Sequence, residues 1–331
     1  MKATILGTGS WGTAIAQVLA DNGNEVIMYG IDRSEVNDIN MRRNTKYFGE
    51  LVLGEGISAT DDLCFALEGT QLLVIAVPTK FVADVLEKVR EYINEDVIVV
   101  NVSKGFDPNT NNRMSDTVRR VLGDIVTTPV VSVIGPSHAE EVILRRLTSL
   151  CAVSVDASAA RRIQDIFSNN YIRLYVNTDE IGAEYGSAMK NVIALASGML
   201  VGRGYGDNAK AALVTRGLAE MTRYALAKGG EAKTLMGLTG IGDLVVTCFS
   251  EHSRNYQAGL YIGKNNGTEE FFRENQKTVE GVYSCKVVYE DLADYDFEMP
   301  ITSELYKILY ENKRPSDALA DIMSRPLKDE D

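Results

Sequence analysis

The feature that most constrains this chain lies near its start. Ala3 to Leu6 is a short apolar run, Gly7-Thr-Gly9-Ser10-Trp11-Gly12 follows at once, and a helical pattern from Trp11 to Asp21 comes next. Glycines at this spacing between a strand and a helix have separate duties. Gly7 permits a tight turn, Gly9 lets backbone approach a pyrophosphate, and Gly12 lets helix and strand pack closely. The helix start then offers free N–H groups and partial positive charge to a diphosphate. The rest of the first half has the matching rhythm. Glu25 to Tyr29, Gln71 to Val77, Val97 to Val102, Val130 to Ile134, Leu150 to Val155 and Ile172 to Val176 are further strand candidates. Between them Ser34 to Arg43, Phe81 to Tyr92, Arg113 to Leu122 and Ala157 to Phe167 have the length and polarity of covering helices, which predicts an α/β domain with a mostly parallel sheet.

From Asp179 onward the texture changes to long helical patterns punctuated by glycine, so the chain reads as two domains, 1–178 α/β and 179–331 all helical. Ile181, Tyr185, Ala188, Val192, Leu195 and Met199 share one helical face. Asp207 is placed to cap a long helix over 208–228, and Pro300, Thr302 and Ser316 read as starts of the last two helices.

With 34 Lys and Arg against 46 Asp and Glu the net charge is -12, which disfavours nucleic-acid partners because phosphate neutralisation needs clustered cations. Runs such as Leu72 to Pro78 are too short to span a bilayer. Two histidines and four cysteines without a Cys-x-x-Cys pair give no metal-ligand cluster, so no metal is expected. The cysteines read as free, mostly buried thiols in a reducing compartment, and with no secretory signal pattern the expected location is the cytoplasm.

Several candidate site residues follow strands. About 20 residues past the last glycine, at the end of the second strand, a reader of the ribose is expected. There Asp32 suits the hydroxyls of NAD and Arg33 suits the 2′-phosphate of NADP, and the two readings stay open. Lys104 ends the fourth strand candidate, pointing toward the cleft. Gly135-Pro-Ser137-His138-Ala139-Glu140 follows the fifth, and Ser137 with Glu140 matches a capping box. Lys190 lies opposite the apolar stripe among Ala183, Ser187, Ala194 and Ser197, a set of small residues that suits close approach by another element. Leu238 to Cys248 contains Gly240, Gly242, Asp243 and Thr247, and ten residues past Asp243 comes Ser253-Arg254-Asn255. A serine cap, helix N–H groups and a bidentate arginine make a good phosphate seat. His138 and His252 lack a partner acid at readable spacing and are taken as supporting residues.

Taken in order, these motifs resemble the bacterial-type NAD(P)-dependent glycerol-3-phosphate dehydrogenases. The resemblance runs from Gly7–Gly12 and Val102-Ser-Lys-Gly105 through Gly135–Ala139, Ala188-Met-Lys-Asn191, Tyr205–Arg216, Gly240–Asp243, Ser253–Asn255 and Val279-Glu-Gly281 to Met299-Pro-Ile-Thr302. It implies hydride transfer between nicotinamide and C2 of sn-glycerol 3-phosphate or dihydroxyacetone phosphate, a role in phospholipid synthesis, and a homodimer. It makes Lys190 the proton carrier with Lys104, Asp243 and Thr247 beside it. Gly135, Ser137, Ser253, Arg254 and Asn255 would surround the substrate. Ser10, Trp11, Tyr47, Lys104, Ala139, Arg254, Thr278 and Glu280 fall at cofactor positions. Two departures stand out: Ile31 occupies a position where the family often has a cation, and Phe48-Gly49 replaces the usual Leu-Pro. The competing readings are a lysine-using 3-hydroxyacid dehydrogenase, against which Ser253-Arg254-Asn255 argues, and a non-catalytic dinucleotide sensor, which would not need Lys104, Lys190 and Asp243.

Overall fold

Short runs of β-branched and other apolar residues set up the strands. They are β1 (Lys2–Leu6), β2 (Glu25–Tyr29), β3 (Ile57–Thr60), β4 (Leu72–Ile75), β5 (Ile98–Asn101), β6 (Val131–Ile134), β7 (Thr148–Val153) and β8 (Ile172–Asn177). The computed structural model, which describes residues 1–275, 278–327 and 329–330, joins them in one sheet of order β3-β2-β1-β4-β5-β6-β7-β8. Every neighbouring pair is parallel except β6 and β7.

Around the sheet lie α1 (Ser10–Asp21), α2 (Arg33–Asn40), α3 (Thr45–Phe48), α4 (Leu63–Leu67), α5 (Val82–Val89), α6 (Met114–Leu122), α7 (Ala139–Val142) and α8 (Ala157–Phe167). Alternation along each strand feeds two cores, because successive side chains point to opposite faces. Ile5, Leu72, Val74 and Val100 meet Ile15, Leu19, Ile163 and Phe167 of α1 and α8 on one face. Leu6, Leu73, Ile75 and Val99 meet Val82, Leu86 and Val118 of α5 and α6 on the other. Burial on both faces is why β4, β5 and β6 are apolar runs rather than alternating ones.

Among the described residues after β8 every regular element is a helix: α9 (Glu180–Gly202), α10 (Asp207–Ala227), α11 (Ala232–Leu235), α12 (Asp243–Phe249), α13 (Arg254–Asn265), α14 (Glu269–Glu274), α15 (Glu280–Asp291), α16 (Pro300–Tyr310) and α17 (Pro315–Met323). Helix α9 is the axis of this half, buried on almost every side. The small-residue face around Lys190 is closely approached, as its composition suggested. Ala183, Ser187, Ala194 and Ser197 are buried, and Ser197 Oγ donates to the Cys248 carbonyl of α12.

The structure corrects the expected elements in four places. Strand β3 has only four residues, Ile-Ser-Ala-Thr, too few to display a period. Gly206, not Asp207, precedes α10; Asp207 is its first residue, where a carboxylate still favours the helix dipole. Thr302 lies inside α16, its N–H and hydroxyl held by Glu220, and Ser316 is the second residue of α17. Ser137 and Glu140 form no capping box, because α7 starts at Ala139 without a side-chain cap and Ser137 Oγ donates instead to the Gly135 carbonyl at 3.0 Å.

Candidate active site

Register decides where the functional loops meet. Leu6 pairs with Tyr29 and Ile75, and Ile75 with Asn101, so β1, β2, β4 and β5 end level with one another. Strand order runs outward in opposite directions from β1 and β4, which makes their carboxyl ends the switch point where open α/β sheets bind ligands.

The glycine loop occupies that point. Gly7 adopts φ +118°, and a Cβ on Gly12 would stand 2.6 Å from the Gly7 carbonyl oxygen, so neither tolerates a side chain. Gly9 faces open space, and no side chain caps α1. The indole Nε1 of Trp11 is buried without a partner. An uncapped helix start beside a lone buried donor fits the diphosphate and ribose of a dinucleotide, whose walls Gly7, Gly9, Ser10, Trp11 and Gly12 would form.

On the same edge, β5 delivers Lys104 and β6 delivers Gly135 and Ser137. Lys104 Nζ donates to the Gly135 carbonyl at 2.9 Å, to Asp243 Oδ2 at 3.0 Å and to Ser137 Oγ at 3.4 Å. All three of its N–H bonds are thereby occupied. Asp243 is fully buried and comes from the other half of the chain. A single π-helical turn over Leu238–Gly242 leads into α12 and sets Asp243 at its head. Asp243 Oδ1 accepts from Lys190 Nζ at 2.5 Å, and Lys190 also donates to Thr247 Oγ1 at 3.1 Å. Thr247 spends its own hydrogen on the Asp243 carbonyl at 2.5 Å, which leaves its lone pairs for Lys190. Lys104, Lys190, Asp243 and Thr247, spread over 144 positions of sequence, thus form one contiguous cluster.

Burial lowers the Lys190 pKa most; the Asp243 carboxylate works against this and the Lys104 ammonium adds to it, bringing Lys190 to about 8. His138 is also held low, by burial first, and its ring lies 5.7 Å from that of His252. With Nε2 against the Val246 carbonyl, His138 supports the wall of the site.

The remaining expected residues flank this cluster. Ser253 caps α13, its Oγ accepting from Tyr256 N at 3.2 Å. Arg254 is exposed at the first position of that helix, and its charge reaches Glu280. Asn255 is buried and used internally: Nδ2 donates to Asn191 Oδ1 at 2.9 Å and Oδ1 accepts from Gly281 N at 2.8 Å. Glu280 accepts from Thr79 Oγ1 at 3.0 Å, bringing the start of α15 against the loop after β4, while Thr278 lies two residues earlier. Ala139 opens α7. Asp32 caps α2 through Ser34 rather than standing free, and Arg33 Nε donates to Asp61 at 2.8 Å. Tyr47 donates to Glu35 at 3.3 Å. Sequence reasoning gave no role to Asn191, although it follows Lys190 directly, nor to Glu35 and Lys46. Among the described residues no His, Cys, Asp and Glu group could hold a metal ion, and no helix is long and apolar enough to cross a membrane.

Fold and site together define a class: a dinucleotide-dependent dehydrogenase in which a helical domain closes over the switch point of a Rossmann-type sheet. Residues 2–160 match the family model of the NAD-dependent glycerol-3-phosphate dehydrogenase N-terminus and residues 179–320 that of its C-terminus. The chain is 47% identical over 328 residues to glycerol-3-phosphate dehydrogenase (NAD(P)+) of Geobacillus kaustophilus, covering 98% of this chain and 95% of that one. It is 46% identical to the enzyme of the same name from Listeria monocytogenes, covering 99% and 97%. The crystal structure of a glycerol-3-phosphate dehydrogenase from Coxiella burnetii matches with a TM-score of 0.90 at 32% identity, over 98% of this chain and 99% of that one. The chain belongs to the NAD-dependent glycerol-3-phosphate dehydrogenase family. A D-mandelate dehydrogenase with NADH, at 14% identity and a TM-score of 0.63, shares the fold alone.

Proposed function

We propose that this protein interconverts sn-glycerol 3-phosphate and dihydroxyacetone phosphate with NAD(H) or NADP(H), with residues 1–178 holding the cofactor and residues 179–331 the reacting carbon. When bound, the nicotinamide supplies or takes up a hydride at C2. The chain's own task is the proton on the adjoining oxygen, and the different bonding of the two lysines supports giving it to Lys190. Lys104 has no N–H to spare and acts as a fixed cation beside the developing alkoxide. Lys190 directs two N–H bonds to Asp243 and Thr247, so as ammonium it keeps a third for the substrate oxygen. As neutral amine it keeps both protein bonds and presents a lone pair to the substrate hydroxyl. A group titrating near 8 serves both directions around neutrality.

Arg254, Ser253 and the start of α13 would bind the substrate phosphate, and Asn255 would set the height of that helix through Asn191 and Gly281. Arg254 also stands beside Glu280, at the expected edge of the cofactor site with Lys104, Tyr47, Ala139 and Thr278. The homodimer and the phospholipid-precursor role rest on the family resemblance, while cytoplasmic residence is supported by four free cysteines. The spare N–H of Lys190 carries the reading. Its test is to add dihydroxyacetone phosphate to enzyme and NADH and follow the fall in NADH absorbance: turnover is expected, and none with either NADH or NADPH would sink it.

A further inference from the structure

The end of β2 presents a problem of charge. Asp32, Glu35 and Asp61 gather there, and a 2′-phosphate would add further negative charge. Two cations stand nearby, and they are differently engaged. Arg33 is almost fully exposed and donates through Nε to Asp61, past the end of β3. Lys46 Nζ lies 2.5 Å from Glu35 Oε1 and 3.7 Å from Asp32 Oδ2. Asp32 Oδ1 is committed to Ser34 N and Oγ at 2.9 and 2.6 Å, which leaves Oδ2 as the oxygen available to a ribose. Lys46 therefore stands beside the oxygen that would face the ribose hydroxyls of a bound dinucleotide.

The backbone under Lys46 is tied to the glycine loop itself. Asn44 Nδ2 donates to the Thr8 carbonyl at 2.9 Å and to Thr13 Oγ1 at 2.8 Å. Asp38 accepts from Thr45 N and Oγ1 at the start of α3. Lys46 can also leave Glu35 without stranding a buried carboxylate. Thr8 Oγ1 donates to Glu35 Oε2 at 2.5 Å and Tyr47 donates to Oε1. A flexible stem with a point charge suits such an exchange better than a planar fork does.

Resting on the function proposed above, we infer that Lys46, rather than Arg33, is the residue that admits the 2′-phosphate of NADP(H), by moving between Glu35 and that phosphate. With NAD(H), Lys46 stays on Glu35 and Asp32 Oδ2 accepts a ribose hydroxyl. With NADP(H), Lys46 turns to the phosphate while Asp32 remains the cap of α2. The two arrangements let one site take both cofactors, although the usual cation position is Ile31.

The test measures dissociation constants of NADH and NADPH for the full chain, using the fluorescence of Trp11, its single tryptophan, checked by calorimetry. Lys46→Met is expected to weaken NADPH at least about tenfold, as loss of a charge-assisted contact does, and to change NADH less than about twofold. Lys46→Arg should recover most of the NADPH affinity, and Arg33→Met should leave the ratio of the two constants within about twofold of the parent. An unchanged ratio in Lys46→Met, equal weakening of both nucleotides, or a collapse of the ratio in Arg33→Met would overturn the assignment. A parent protein that binds neither nucleotide would overturn the underlying function instead.

Discussion

Replacing Asp243 by Asn should move the working pH of the enzyme, and by an amount the geometry sets. The Asp243 carboxylate is fully buried, 2.5 Å from Lys190 Nζ and 3.0 Å from Lys104 Nζ. Two unit charges about 4 Å apart interact by about 4 kcal/mol at an effective dielectric of about 20, and each pKa unit is about 1.36 kcal/mol, so up to about 3 units are at stake. Reorganisation of neighbouring dipoles returns part of this, and a fall of at least about one unit from the value near 8 is expected. At about pH 7.5 the ammonium fraction of Lys190 would then drop from roughly three-quarters to roughly one-quarter, and dihydroxyacetone phosphate reduction by at least about threefold from protonation alone. Lys104→Met should shift Lys190 the other way, because it removes the neighbouring cation that helps to lower it. The assay is kcat for reduction under saturating substrates from about pH 6 to about pH 9.5, reading the alkaline limb. Limbs that move in the same direction in the two variants, or do not move at all, would refute the assignment of that limb to Lys190.

Truncating Arg254 to Ala should lower kcat/KM for dihydroxyacetone phosphate at least about tenfold while barely affecting dihydroxyacetone, since a charge-assisted contact contributes roughly 1.5–3 kcal/mol; equal losses on both would show that Arg254 does not read the phosphate. A second titration concerns stability. Glu184 of α9 is buried against Ser115 and Arg113 at the start of α6, Ser132 of β6 and its own neighbour Glu180. Burial first, then Glu180, raise its pKa to about 7. The folded chain therefore holds a proton that the unfolded chain releases above about pH 4.5, so this group's contribution to stability declines as pH rises from there through about 7. Glu184→Gln should flatten that part of the Tm-against-pH curve, and an unchanged slope would place the titration elsewhere.

Much of this was legible because local chemistry repeats itself. The glycine loop announced β1 and α1, and apolar runs announced β4 to β6, because strands buried on both faces cannot alternate. Strand β3 was hidden by its length of four residues, and the Ser137–Glu140 spacing misled because Ser137 Oγ found a carbonyl nearer than the helix N–H groups. The small faces around Lys190 showed that something approaches, yet nothing in the spacing identified Asp243, 53 positions away, as the partner. The same holds for Lys104, 139 positions from that carboxylate. Long-range pairing of this kind is set by register and helix packing. The Glu35–Lys46 pair escaped notice for another reason: at 11 positions apart on separate short helices, it resembles two solvated charges until Thr8 closes over Glu35.

The most direct measurement is a comparison of Lys190→Met with the parent enzyme. NADH affinity is read from Trp11 fluorescence, and turnover from NADH absorbance with dihydroxyacetone phosphate. Because the hydrogen bonds of Lys190 go to Asp243 and Thr247, outside the glycine loop, NADH affinity should stay within about twofold, while kcat falls at least about 10²-fold for want of the proton carrier. A folded Lys190→Met protein that reduces dihydroxyacetone phosphate at nearly the parent rate would contradict the assignment of proton transfer to Lys190.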